Sequence, residues 1–98
     1  MTNVIKMDYA LMEEMSLRFH QGTVQLRRTR AEMERLAVQM DEGALVGQGG
    51  AAFVEALQYA LCPAITRLSD KYSELQGDIL KAMKAMKDAD QDAKSKFS

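Results

Sequence analysis

The chain has no tryptophan, one proline, one cysteine and one histidine in 98 residues, and its aromatic content is 6%. A lone cysteine closes no disulfide within the chain, and one cysteine with one imidazole makes no metal site unaided. Few aromatics and a single proline beside 8 methionines suit long helices better than sheets. Charge bias is missing too. Against 14 acidic residues stand 13 basic ones, a net charge of −1, which gives no electrostatic case for nucleic acid or an anionic membrane. No run approaches 18 uncharged apolar residues, so no membrane span is expected. The first residues, Met1 to Asp8, lack the charged start, apolar core and small-residue cleavage site of a cleavable signal peptide. What is present is 47% apolar and 28% charged residues, enough for one small folded domain.

Periodicity supplies the architecture. Met12, Met15, Phe19, Gly22, Leu26, Thr29, Met33, Leu36 and Met40 follow an unbroken alternation of three and four. That spacing predicts a helix over about residues 8–41 with one apolar seam. The pattern stops in a glycine-rich turn over about residues 43–50, where continued helix costs about 1 kcal/mol per glycine relative to alanine. It resumes in Phe53, Leu57, Leu61, Ala64 and Leu68, shifts by one place, and continues through Tyr72, Leu75, Ile79, Ala82, Met86, Ala89 and Ala93. A second helix is therefore expected over about residues 50–93, with a frayed tail over 94–98. Pro63 lies inside it and should kink it near Tyr59 to Pro63 or restart it there.

The reading is an all-α fold: one antiparallel two-helix hairpin, dimerising into a four-helix bundle. Counting back from a bend at Leu45 and Val46 sets Gly22 opposite Leu68 and Ser69 and leaves Asp88 to Ser98 as an overhang. Phe19, Leu26, Leu36, Phe53, Leu57 and Leu68 are expected to be buried. A lone hairpin covers one stripe of each helix and makes a poor core. A further row, Leu17, Val24, Ala31 and Val38, spaced strictly by seven, lies about 170° from the seam and is the candidate dimer interface.

Catalytic chemistry finds no inventory. His20 falls at the seam's edge and reads as a partly exposed helix residue, and Cys62 beside Pro63 reads as inert packing. Asp88, Asp90 and Asp92 alternate as in a calcium loop, but the glycine at loop position six and the closing glutamate at twelve are missing. No enzyme activity, metal or other cofactor is expected.

The length, the helix–turn–helix plan and the turn residues resemble the WXG family of small type VII secretion substrates. Leu45-Val46-Gly47 stands at the Trp-x-Gly position, with Leu45 replacing Trp, and Phe53 follows after small residues. The family's Tyr-x-x-x-Asp/Glu mark finds its nearest match in Met86 and Asp90, with Met in place of Tyr. The resemblance implies a protein made in the bacterial cytoplasm and secreted without a cleavable signal. It would act as a dimer with itself or a WXG-type paralogue, and Met86 and Asp90 would be a candidate export signal read by the secretion ATPase of the type VII apparatus. A cytosolic coiled-coil scaffold or regulator binding a partner helix is the alternative.

Overall fold

The computed structural model describes residues 8–44 and 47–97. Helix α1 spans Tyr9–Gln39. Asp8 caps it: its carboxylate accepts the Leu11 N–H at 3.0 Å, satisfying one of the donors that a helix start leaves unpaired. The chain kinks within Met40–Ala44 at Gly43, whose φ of 133° lies on the side of the map that L side chains rarely adopt. The returning arm begins with α2, Gln48–Ala56, passes through a π-type turn at Leu57–Leu61, and continues as α3, Cys62–Phe97. The two arms form an extended hairpin of 75 × 23 × 16 Å, with no strand among the described residues.

The π turn has a local cause. Pro63 offers no N–H, so the carbonyl one turn upstream cannot be paired in the ordinary way. The Cys62 N–H reaches back to the Leu57 carbonyl, five residues away, and one extra residue is absorbed. That residue resets the register of everything after it. A straight helix would carry the inward row from Leu57 to Leu61, Ala64 and Leu68. In the structure the row runs instead from Leu57 to Cys62 and Ser69, all buried. The one-place shift that periodicity sets between Leu68 and Tyr72 thus occurs ahead of the proline.

This corrects the expected burial. Leu57 is buried, Phe19, Leu26 and Leu36 are half-buried, and Phe53 and Leu68 are 48% and 45% exposed. The first arm is rotated in the same way. Its inward residues are Met12, Ser16, Phe19, Thr23, Leu26, Arg30, Met33, Ala37 and Met40, with Ser16, Thr23 and Ala37 the most deeply buried. Met15 and Thr29 are exposed, and Gly22 and Leu36 only half-covered. The most deeply buried side chains of the seam, Ser16, Thr23, Ala37, Cys62 and Ser69 among them, are small. The larger apolar residues are displaced to one side, because the apolar stripe is wider than one partner helix can cover.

Buried hydroxyls bond back to their own helix. Thr23 donates to the Phe19 carbonyl at 2.9 Å and Ser69 to the Thr66 carbonyl at 2.9 Å. Thr66 donates to the Cys62 carbonyl and accepts from an Arg30 guanidinium nitrogen at 3.1 Å, a cross-link between the arms. The densest apolar packing lies next to the turn, where Ala37, Val54 and Leu57 gather Met33, Leu36 and Met40.

Register along the arms also differs from the symmetrical count. A Cβ at Gly22 would stand 2.6 Å from a Tyr72 ring carbon, so the glycine is the socket for Tyr72, one turn beyond Leu68. Phe19 meets the same ring edge-to-face at 5.3 Å. At the open end Tyr9 bonds Asp90, so Asp88 to Asp90 lie against the start of α1 and are no overhang. The extra residue in the π turn contributes to this displacement. Helix α3 persists through Phe97, four residues into the stretch expected to fray, since nothing after Ala89 breaks a helix: no glycine or proline occurs there.

Candidate functional site

The residues that could carry chemistry are scattered. His20 is exposed on α1, and Cys62 is a buried free thiol on α3. Among the described residues no three potential metal ligands gather, and no helix is long and apolar enough to cross a membrane. Asp88 pairs with Lys84 at 2.9 Å and Asp90 accepts from Tyr9, so the alternating aspartates serve separate contacts. Three features remain: the turn, the flanks of the hairpin and its open end.

At the turn, Leu45 and Val46 lie outside the described residues. Gly47 is described, with φ 111° and ψ −177°, a conformation open essentially to glycine. Its carbonyl accepts the Ala51 N–H at 3.1 Å and so starts α2. A Cβ there would meet nothing within 4 Å, so the demand for glycine comes from the backbone alone. Phe53, on the first turns of α2, is exposed and separated from the buried core by its neighbour Val54.

The flanks are read from the inward rows. On α1 the most central inward residues recur every seven as Ser16, Thr23, Arg30 and Ala37. On the other arm they are Val54, Cys62, Ser69, Gln76 and Met83, the longer first step being the π turn. At 100° per residue, the position before each inward residue lies on one flank and the position after it on the other. Because the arms are antiparallel, the preceding positions of both arms fall on the same side. On α1 these are Met15, Gly22, Thr29 and Leu36; on the returning arm they are Phe53, Leu61, Leu68, Leu75 and Ala82. None is charged. Leu11, Met15 and Phe19 join Tyr72 across the arms in an open groove of about 460 Å³, with the Glu14–Arg18 ion pair at its rim.

The opposite flank has a different chemistry. Its α1 row is Leu17, Val24, Ala31 and Val38, the candidate interface from the sequence, and all four are exposed. Across the seam that row is continued by Glu55, Pro63, Asp70, Gly77 and Lys84, three of them charged. The Leu17 row is therefore apolar on one arm only. Reading from sequence missed the Phe53–Ala82 row; the signal that would have shown it is Pro63, had its extra residue been carried through the count.

At the open end, the Tyr9 hydroxyl donates to Asp90 Oδ2 at 2.9 Å, and the Lys87 ammonium lies 5.3 Å from the centre of the Tyr9 ring. Desolvation, the bond to Asp90 and that carboxylate's charge all hold the phenol above its ordinary pKa, so Tyr9 keeps its proton. Met86, half-buried, precedes Asp90 by one helical turn. The sequence analysis did not single out Tyr9, whose role depends on register between residues 81 positions apart.

No curated protein and no solved structure matches the chain. A family model does, over residues 4–91, nearly the whole sequence. The hairpin, the glycine-dependent turn and this match lead to one conclusion: the chain belongs to the WXG100 family, proteins of 100 residues with WXG, and so to the small helical proteins of type VII secretion.

Proposed function

We propose that this protein is a non-enzymatic adaptor or substrate of a type VII apparatus, secreted without a cleavable signal, that works as a dimer with a second copy or a WXG-type paralogue. One observation carries the reading: a mostly apolar row without a charged member, contributed by both arms, much of which the hairpin itself leaves exposed. Met15, Leu61 and Leu68 on that face are exposed, and each large side chain buried there contributes about 1.5–3 kcal/mol. Pairing two such faces gives each helix two neighbours, which accounts for a stripe wider than one seam. The role assigned to Met86 and Asp90 is recognition by the secretion ATPase of that apparatus. A cytosolic scaffold would use the same face, and secretion separates the two readings.

The test has two arms. Leu68→Asp sets a charge in the middle of the face and should weaken association about a hundredfold or more while helicity is kept. Val24→Asp, on the other flank, should leave association unchanged in sedimentation experiments. The reverse pattern would move the interface to the Leu17, Val24, Ala31 and Val38 row. In a host with a cognate apparatus, Asp90→Ala should reduce export of the still-folded protein; undiminished export would remove Asp90 from the signal.

A further inference from the structure

We propose that Tyr9 is a latch: it fastens the C-terminal end of α3 to the start of α1 and keeps the Asp90 carboxylate occupied until the end of the hairpin opens. Among the described residues, little apolar burial holds that end. Between Met83, which is buried, and Lys94, the most covered side chain is the half-covered Met86. From Lys87 to Lys94 every side chain is exposed. Those two turns have almost no apolar burial to hold them against α1, and a helix end without packing opens readily.

Tyr9 supplies what the packing does not. It stands at the first position of α1, fixed by the Asp8 cap, and reaches across the seam with two different interactions. Its hydroxyl donates to Asp90, and its ring face receives the Lys87 ammonium, three residues earlier on the same helix. Each contact alone is modest on an exposed surface, but both depend on one side chain and act on one turn of α3. Other charged groups at that end include Glu13, Lys84, Asp88, Asp92 and Lys94, and Lys84 is engaged with Asp88 along α3 itself. A partner donor directed at Asp90 Oδ2 competes with the Tyr9 hydroxyl for that oxygen.

The second consequence rests on the role proposed above for Asp90; the latch itself does not. Two measurements keep them apart. In the full-length protein at one fixed concentration, amide hydrogen exchange is followed in wild type, Tyr9→Phe and Tyr9→Ala. Tyr9→Phe keeps the ring and removes the hydrogen bond. It should speed exchange of the amides over residues 87–94 about two- to tenfold, with Tyr9→Ala faster still and amides near Ser69 unchanged. Exchange over 87–94 that is the same in all three overturns the latch. In the secretion assay, Tyr9→Phe should export faster than wild type, because Asp90 is released. Slower or equal export, alongside faster exchange, would overturn the masking while leaving the latch in place. Normal export of Asp90→Ala would instead remove Asp90 from the signal, and exchange would still decide the latch.

Discussion

At the scale of single residues, the glycines divide by what each position demands. Gly47 and Gly43 hold positive φ values of 111° and 133° with open space around them, so a side chain there is strained by its own backbone. Gly47→Ala should cost about 1–2 kcal/mol of thermal stability, read by circular dichroism. Gly77 lies in mid-helix, where a Cβ would touch nothing, and Gly77→Ala should stabilise by up to about 1 kcal/mol. Equal and opposite signs from the same substitution would separate backbone demand from helix propensity; destabilisation by both would contradict it. Gly22 is the third kind. There the neighbour is the Tyr72 ring at 2.6 Å, held in turn by Phe19, so Gly22→Ala should destabilise by displacing that pair. If Gly22→Ala melts with wild type, the ring yields and the socket is not a constraint.

Among the elements, the π turn at Leu57–Leu61 decides more than any other segment of the returning arm. It turns Cys62 and Ser69 inward and moves Leu61 and Leu68 to one flank, which makes that flank of the arm apolar. The cause assigned here is the missing N–H of Pro63, and the buried Cys62 thiol reports on it. With Pro63→Ala the arm can close as a regular α-helix, turning position 62 outward by about one residue's 100° rotation. The Cys62 thiol should then react severalfold faster with a disulfide reagent. Unchanged reactivity would mean that packing of Cys62 and Ser69, and not the proline, holds the turn. Periodicity from sequence located both arms through their apolar spacing, yet it could not set the inward phase. Ser16, Thr23, Cys62 and Ser69 are small or polar and carry little hydrophobic signal, but their size lets the arms approach, so they take the centre of the seam.

For the whole molecule, the interior is thin. No large side chain among the described residues is fully buried, and the densest cluster sits at the turn end. Such a hairpin depends on what covers its second face, so its melting temperature should rise with protein concentration, as for any fold whose stability includes association. A midpoint constant over a hundredfold dilution would show that the hairpin stands alone. Leu68→Asp should remove that concentration dependence, which links the thermal and the sedimentation measurements.

The class follows from local pattern: the spaced apolar positions, the single proline and the cluster of glycines leave two long helices and one turn, because helix periodicity and glycine's backbone freedom are local properties. The sequence also placed Gly47 in the turn, within a motif whose Leu45 and Val46 lie outside the described residues. Which side of each helix faces inward, that Gly22 receives Tyr72, and that Tyr9 meets Asp90 emerge from the packing of the two arms. These depend on one extra residue absorbed at the π turn and on contacts between residues dozens of positions apart. Local spacing fixes a stripe, but its phase against another helix is chosen by whichever side chains allow the closest approach.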